Sequence, residues 1–313
     1  MTSDLTHYLE IIKLRSRLNP PDEPLVLGEL KAHIEDEVLD LEESGLSEAE
    51  AVDTCISHLG GAELVSRRIY EAYSQGTWRQ VTLAAMPHLL FGLLFILNWW
   101  HYLGWLSFVL VLTLATTVYG WWHGKPAWVF SWLGYTLLPV LLLGIMMLYL
   151  PGVWSILTLL IYIPLAMWWL WGVIVQTTRR DWLFSSLMLL PVPIIAGWIL
   201  TIAPQGKLDT AAIERLDRFA PWVGLSFITL ALTIAAFLRI RQRSLRVGLL
   251  AVSGLFTITL VVYYSDGHLN TLTFLGLVLV MWGVLLFPPL LERFLRRKVL
   301  LKASDGEVAQ RQT

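Results

Sequence analysis

The chain has 313 residues, 56% of them hydrophobic and 15% charged, whereas soluble domains are about 45–50% apolar and about 25% charged, so the composition excludes a wholly soluble protein. The net charge of −1 conceals an acidic segment over residues 1–80, with 7 Lys and Arg against 16 Asp and Glu, and a basic remainder with 16 against 8. The single cysteine excludes an intramolecular disulfide and a zinc site built from several thiolates.

Residues 1–76 form a small helical domain by their apolar periodicity. Four segments place apolar side chains on one helical face, the second of them through Leu27, Leu30, Ile34, Val38 and Leu41. Ser47 and Glu50 are spaced as a capping box for the third helix, while Gly45 and Gly60 mark helix ends. Because the segment has no apolar run long enough for a signal peptide, we expect it to lie in the cytoplasm.

The second helix also has an outer face opposite its apolar stripe. Its side chains recur at spacings of three and four: Glu29, His33, Asp36, Asp40 and Glu43. A solvated surface is the ordinary outcome of such a charge run, and a docking surface for a basic partner is the functional alternative. No second histidine stands at ligand spacing from His33, so we expect no metal at this face.

A series of short motifs runs through residues 5–72. In order they are Tyr8-Leu9, Glu29-Leu30-x-x-His33-Ile34, Leu41, Gly45-Leu46-Ser47-Glu48-x-x-Ala51 and Leu59-Gly60. This order resembles the permease-prefix domain, also called the HAAS domain, a small helical module found ahead of bacterial membrane segments. Relatives commonly have Gly-Asp-Pro after the last leucine, where this chain has Gly60-Gly61-Ala62.

The resemblance carries functional implications. Members of the permease-prefix family are often linked to PadR-type transcription regulators, or precede permease subunits of ABC exporters. The resemblance therefore implies a bacterial protein whose cytoplasmic head communicates with a soluble regulator. The membrane part has no large outer domain between its apolar runs, so it does not resemble an exporter permease.

From about residue 81 the chain is a series of apolar runs, each close to the roughly 20 residues that a bilayer span requires. We predict eight spans, none with an internal Asp, Glu, Lys or Arg, at 81–100, 103–123, 127–149, 152–176, 183–203, 220–238, 247–264 and 270–289. The spans should be helices, because lipid cannot satisfy open backbone groups, and their internal prolines should be tolerated as kinks. The predicted fold class is therefore all-α: a polytopic membrane protein of eight transmembrane helices preceded by a small cytoplasmic helical domain.

Lysine and arginine alternate between the predicted connections. They occur after spans 2, 4, 6 and 8 and are absent after spans 1, 3 and 7, which predicts cytoplasmic N- and C-termini. The resemblance to the permease-prefix family implies that the membrane is a bacterial inner membrane. The exception is the loop at about 204–219, where three basic residues are offset by three acidic ones and a short interfacial helix is predicted. The predicted domains are then 1–76 for the head, 77–303 for the membrane domain and 304–313 for a short polar tail.

The spans contain two candidate intramembrane polar residues, His88 and Tyr135. The ordinary role of His88, which follows Pro87, is a hydrogen bond between helices, and a functional site is the alternative. The absence of charged residues inside the spans argues against a proton-coupled or sodium-coupled transporter. The sequence also has no phosphate loop and no Gly-x-Ser-x-Gly or His-Glu-x-x-His motif, so we predict a non-enzymatic protein without a cofactor or metal, and without direct nucleic-acid binding.

The leading functional hypothesis is a membrane sensor or regulatory anchor. Its membrane body would respond to a lipophilic compound or to envelope stress, and its head would bind or release a cytoplasmic partner such as a PadR-type regulator. Two alternatives remain open: a permease, or a permease accessory subunit, for an uncharged or lipophilic substrate, and a structural subunit that assembles with another membrane subunit. The lipid bilayer is a partner in every case.

Overall fold

The structure is a computed structural model that describes residues 3–16, 18, 22–136, 153–203, 210–265, 267 and 269–311. All regular elements within these ranges are helical. The chain divides into two compact units, the first made of Met1–Thr77 with Leu238–Gln242 and the second of Trp78–Phe237 with Arg243–Thr313.

Four helices build the first unit: α1 (Ser3–Ser16), α2 (Glu23–Glu43), α3 (Glu48–Leu59) and α4 (Ala62–Tyr73). Their apolar stripes meet in one small core, whose buried members are Leu5, Tyr8, Ile12, Ile34, Val52 and Cys55. Burial in this core raises the pKa of the Cys55 thiol to about 11, with the charge and hydrogen bond of Glu37 as further causes. The thiol is therefore protonated and unreactive at neutral pH.

The predicted capping box of α3 is confirmed. The Ser47 hydroxyl accepts a hydrogen bond from the Glu50 amide at 3.4 Å, and the Glu50 carboxylate accepts one from the Ser47 amide at 3.1 Å. The Ser47 hydroxyl also donates a hydrogen bond to the Glu50 carboxylate at 2.7 Å, and this bond, together with the one from the Ser47 amide, holds the pKa of the Glu50 carboxyl below its usual range. The helix ends at Gly60, which has a φ of +92° that glycine adopts without strain.

Tyr8 and Gly60, both part of the motif series, are joined in space. The phenol of Tyr8 donates a hydrogen bond to the Gly60 carbonyl oxygen at 2.8 Å. This bond ties α1 to the end of α3 across 52 residues of sequence. The Gly60 carbonyl at the end of α3 is thus satisfied by the first helix of the domain.

The second unit consists of helices connected by short turns. In chain order they are α5 (Trp78–Ile96), a 3₁₀ turn (Trp99–His101), α6 (Leu103–Trp122), α7 (described over 129–136), α8 (Val153–Leu157), a π-helical turn (Thr158–Tyr162), α9 (Ile163–Arg180), α10 (Trp182–Leu189), α11 (Pro191–Ile202), α12 (Thr210–Arg239), α13 (Arg243–Tyr263) and α14 (Thr271–Arg311). Prolines explain the interruptions, since the π-helical turn precedes Pro164 and α10 gives way to α11 at Pro191.

Seven helical segments in the described part of the chain are long and apolar enough to cross a membrane. They are Trp78–Ile96, Leu103–Trp122, Ser155–Thr178, Trp182–Ile202, Thr210–Arg239, Arg243–Tyr263 and Thr271–Leu295. The protein is an integral membrane protein, and seven of the eight predicted spans are confirmed as helices of the required length. The remaining span, predicted at 127–149, begins with α7, but residues 137–149 lie outside the described residues and the eighth span stays a prediction.

The short interfacial helix predicted at about 204–219 is not a separate element. Residues 204–209 lie outside the described range, and residues 210–219 are the first turns of α12, which continues through Pro221. Two contacts attach these turns to neighbouring parts of the unit. The Arg215 guanidinium donates to the Ile202 carbonyl at 2.7 Å, and Asp217 lies 2.6 Å from the imidazole Nε2 of His101.

Pro87 leaves a carbonyl without its helical donor, and a neighbouring helix supplies the missing hydrogen. Proline has no N–H, so the Leu83 carbonyl four residues earlier loses its partner within α5. The indole Nε1–H of Trp132 in α7 donates to this oxygen at 2.8 Å. A membrane interior offers no water to replace that bond, so Trp132 makes the proline kink tolerable and joins α7 to α5.

A similar replacement hydrogen bond joins α10 and α14. Pro288 deprives the Val284 carbonyl of its helical donor, and the Ser186 hydroxyl donates to that oxygen at 3.2 Å. The carbonyls that Pro87 and Pro288 leave without a helical donor are therefore both satisfied by side chains of adjacent helices.

We call the second unit, which contains the seven apolar helices, the membrane unit. We expect Trp132→Phe to lower its free energy of unfolding by about 1–3 kcal/mol in addition to the effect of altered packing, because the Leu83 carbonyl is left buried and unpaired. In a Pro87→Ala background residue 87 regains an amide N–H for this carbonyl, and the same change should cost less than half as much. The free energies of unfolding of the four proteins, measured by SDS titration in detergent micelles, give the coupling. Equal losses in the free energy of unfolding in both backgrounds would contradict the role given to the hydrogen bond between Trp132 and the Leu83 carbonyl.

Glycines allow the closest helix crossings. A Cβ on Gly224 of α12 would lie 2.7 Å from the Gly92 carbonyl oxygen of α5, and a Cβ on Gly134 of α7 would overlap the Met188 carbonyl oxygen of α10. Close approach at small residues is the usual basis of helix association in membranes, where lipid removes the hydrophobic drive between helices.

A buried ion pair holds the turn between α9 and α10. The Asp181 carboxylate, only 2% exposed, accepts hydrogen bonds from the Leu183 amide at 3.2 Å and from the Arg243 guanidinium at 2.9 Å. One turn further along α13, Arg246 is also buried, with its guanidinium 5.0 Å from the centre of the Phe237 ring. Of these two arginines, which the sequence places at a basic membrane margin, Arg246 thus lies in the interior of the unit and the half-buried Arg243 pairs with a buried carboxylate.

Candidate functional sites

His88 and Tyr135, the two intramembrane polar residues singled out in the sequence, lie against each other in the second unit. His88 comes from α5, one residue after Pro87, and Tyr135 comes from α7. Their ring centroids are 4.9 Å apart with the ring planes at 86°. Both side chains are inaccessible from the surface, with exposed fractions of 1% and 0%.

Two phenylalanine rings pack against Tyr135 of this pair. Phe91 of α5 stacks on Tyr135 with centroids 4.6 Å apart and planes at 10°, and Phe227 of α12 lies 5.9 Å from Tyr135 and 5.8 Å from Phe91. We name His88, Phe91, Tyr135 and Phe227 the aromatic cluster. It draws on three helices and is placed by the Trp132 hydrogen bond between α5 and α7 and by the glycine crossing between α5 and α12.

Three polar atoms of the aromatic cluster have no hydrogen-bond partner among the described residues: Nδ1 and Nε2 of His88 and the hydroxyl oxygen of Tyr135. The hydrogen bond between helices expected for His88 is therefore not found within this part of the chain, because the neighbouring groups are aromatic faces and edges. An unpaired buried polar group costs about 1–3 kcal/mol. Such groups are rare and point to a strained or functional position.

Other buried hydroxyls of the membrane unit are satisfied locally. Thr113, Thr117 and Thr177 each donate to the carbonyl four residues earlier in the same helix, at 2.7–2.8 Å. Polar side chains in this interior thus ordinarily find partners. The contrast makes the aromatic cluster the outstanding candidate for a site within the membrane.

The second candidate site is the outer face of α2. Its five residues, Glu29, His33, Asp36, Asp40 and Glu43, are all exposed, as the periodicity predicts. We name them the acidic face. None of them pairs with another described side chain, whereas two carboxylates beside the face do: Glu35 with Lys31 at 3.5 Å and Glu37 with His58 at 3.2 Å.

Exposed leucines accompany the acidic face. Leu25 is 63% exposed and Leu39 is 57% exposed, and residues seven apart on a helix, here Leu25, Ala32 and Leu39, follow one line along its surface. The exposed side of α2 therefore combines negative charge with apolar surface. Sequence periodicity identified the charges of this surface but not its leucines.

A third feature, not anticipated from the sequence, joins residues 75–76 to 238–241 within the first unit. The Gly76 amide donates to the Leu238 carbonyl at 2.9 Å, and the Arg239 guanidinium donates to the Gly76 carbonyl at 3.3 Å. Arg241 donates two hydrogen bonds to the Gln75 side-chain oxygen, at 2.9 and 3.1 Å. We name these residues the connector, because residues 75–76 lead into α5 and residues 238–241 include the end of α12.

No protein-family model matches this sequence, and comparison with curated proteins and with solved structures gives no significant match. The resemblance of residues 5–72 to the permease-prefix domain consequently stays a prediction from motifs. Among the described residues, no group of three or more His, Cys, Asp and Glu side chains is placed to hold a metal ion.

Proposed function

We propose that the protein is a sensor and regulatory anchor of the bacterial inner membrane, with both termini in the cytoplasm. The membrane unit responds to a lipophilic signal, and the head binds or releases a basic soluble partner, such as a PadR-type regulator, at the acidic face. The observation that carries the proposal is the exposure of that face. Four carboxylates of α2 stand in solvent without partners among the described residues, beside exposed leucines.

The composition of this surface suits reversible docking. Unpaired carboxylates raise the rate of encounter with a basic partner and select against acidic ones. Leu25 and Leu39 add apolar contact area beside the charged residues. The resulting binding should weaken as salt is added, because exposed charges are screened within about 10 Å at 0.1 M ionic strength.

The helices that carry the aromatic cluster connect the proposed signal site to the head along the chain. The aromatic cluster includes residues of α5 and α12, and both helices lead directly into the connector at 75–76 and 238–241. A shift of α5 against α12 would strain or break the connector hydrogen bonds. The connector belongs to the head unit, so such a shift would reach the domain that binds the partner.

We expect Asp36→Asn combined with Asp40→Asn to weaken partner binding about tenfold, since each carboxylate contributes on the order of 0.5–1 kcal/mol at an exposed interface. The measurement is the affinity of a purified PadR-type regulator from the same genome for the full-length protein in nanodiscs.

The matched control is Glu10→Gln with Asp53→Asn, which removes the same charge from exposed positions outside the acidic face. This control should change the affinity less than twofold. Equal losses for both double variants would show attraction to net charge rather than docking at the face, and absence of any binding by the unaltered protein would refute the proposal.

The aromatic cluster also favours a second candidate function, a permease or permease accessory subunit for an uncharged or lipophilic substrate. In that case the cluster would be a transport site rather than a sensor site. Uptake of a hydrophobic compound by proteoliposomes, lost in His88→Leu and Tyr135→Phe, would favour this alternative.

A further inference from the structure

We propose that the aromatic cluster is a binding site for an uncharged aromatic molecule that carries a hydroxyl group, and that His88 and Tyr135 hydrogen bond to that hydroxyl. The inference rests on the proposed function, because it names the class of the lipophilic signal. The acidic face and its partner play no part in the binding itself.

The polar atoms of the cluster define the hydrogen-bonding chemistry. A neutral imidazole has one donor and one acceptor nitrogen, and a tyrosine hydroxyl both donates and accepts. None of the three atoms has a partner among the described residues. A ligand hydroxyl can donate to the imidazole nitrogen and accept from Tyr135 at the same time, so one oxygen satisfies both side chains.

The surroundings require an uncharged ligand. The helical segments that carry the cluster have no Asp, Glu, Lys or Arg at residues 80–96, 129–136 and 219–238. An ion placed there would have no opposite charge on these segments to offset its lost hydration. A neutral hydroxyl needs only the hydrogen bonds that His88 and Tyr135 offer.

The walls of the cluster favour an aromatic ring. Phe91 and Tyr135 are already stacked, and Phe227 is tilted against both at centroid distances of 5.8–5.9 Å. Aromatic rings prefer such stacked and tilted neighbours at 4.5–7 Å, so a planar ligand ring continues the existing arrangement.

Entry of a ligand requires the cluster to open, since its rings are buried against one another. Pro87, next to His88, removes one rung of the α5 hydrogen-bond ladder, and the Leu83 carbonyl is tied to α7 rather than to its own helix. Bending at this point separates His88 from Tyr135 and displaces the end of α5 that leads to the connector. Binding and signalling then use the same hinge.

The test compares two probes that differ by one oxygen, tritiated 4-nonylphenol and tritiated nonylbenzene, on the full-length protein in phosphatidylcholine nanodiscs. Protein-free nanodiscs give the partitioning background. We expect saturable binding of nonylphenol that is at least about tenfold tighter than that of nonylbenzene, as one net hydrogen bond provides. Equal binding of the two probes by the unaltered protein overturns the inference without recourse to any variant.

Variants locate the site. Tyr135→Phe and His88→Leu should lower nonylphenol affinity to the nonylbenzene level, while Tyr119→Phe, the same change at a tyrosine that is 57% exposed on α6, should leave it unchanged. Tyr135→Phe should also raise the Tm of the ligand-free protein, because it removes an unpaired buried hydroxyl. A fall in Tm would show that the hydroxyl has a structural partner and would overturn the inference.

Failures of the two proposals are distinguishable. Nonylphenol binding without partner binding would refute the proposed function and leave the site. Partner binding without a preference for nonylphenol would refute the site and leave the proposed function.

Discussion

Gly134→Ala is expected to disrupt the membrane unit more than any other single methyl group added to it. A Cβ at this position overlaps the Met188 carbonyl oxygen, and a backbone atom cannot rotate aside as a flexible side chain does. Helices α7 and α10 must therefore separate, which opens the core around Phe130, Leu133 and Met188. Overpacking typically costs about 1–3 kcal/mol, and a clash with a backbone atom should fall at or above the upper end of this range.

The displacement should also reach the aromatic cluster. Gly134 lies between Trp132, which holds the Leu83 carbonyl, and Tyr135, which contacts His88. We therefore expect Gly134→Ala to lower both the free energy of unfolding in SDS titrations and any binding at the cluster.

Gly276→Ala is the matched control for this prediction. A Cβ at Gly276 of α14 meets nothing within 4 Å, and alanine is the better helix former by about 1 kcal/mol. The control should be neutral or stabilising. Similar losses for the two alanine variants would show that the α7–α10 crossing does not limit stability.

Asp181→Ala is expected to have the second largest effect, a loss of about 3 kcal/mol. The carboxylate is 2% exposed, caps the first turn of α10 and accepts the Arg243 guanidinium. Its removal takes away the cap, worth about 1 kcal/mol, and leaves a partly buried cation without this counter-charge. The Arg243 side chain is 32% exposed, so the loss should fall at the lower end of the 3–5 kcal/mol range of buried pairs.

A double-mutant cycle with Arg243→Ala measures this prediction. If the pair stabilises the turn, Arg243→Ala should cost much less in the Asp181→Ala background than alone. The exposed pair of His101 and Asp217, with side chains 42% and 44% exposed, is the comparison, and Asp217→Ala should cost no more than about 1 kcal/mol. Equal costs at the buried and the exposed pair would contradict the role given to Asp181.

Hydropathy identified the spans reliably because a bilayer span is a local property of some 20 consecutive residues. Seven segments of the predicted kind are helices, and the one predicted at 127–149 lies largely outside the described residues. Among the described residues the prediction failed at 210–219, where polar spacing indicated a separate interfacial helix. Residues 210–219 instead extend α12, because Pro221 removes only one helical hydrogen bond and does not end the helix.

The candidate sites also combine features that the sequence predicted with contacts that required the fold. Periodicity placed Glu29, His33, Asp36, Asp40 and Glu43 on the exposed side of α2, since a helical face depends only on spacing. His88 and Tyr135 stood out as polar residues in apolar runs, yet their contact across 47 positions of sequence required the fold. The absence of a helix-to-helix hydrogen bond for His88 among the described residues could not be inferred from its type.

The sequence by itself determined an all-helical membrane protein with an acidic helical head, the confirmed capping box at Ser47, and the positions of the helix-interrupting prolines. Only the tertiary structure decided which helix supplies the missing hydrogen bond at two of these prolines, as Trp132 of α7 does for Pro87 and Ser186 of α10 does for Pro288. The physical reason is the sequence separation over which each interaction acts. Helix formation and hydropathy act over a few turns of one segment. These hydrogen bonds, the glycine crossings and the Asp181–Arg243 pair instead join residues 49 to 132 positions apart, through contacts that exist only once the helices have packed.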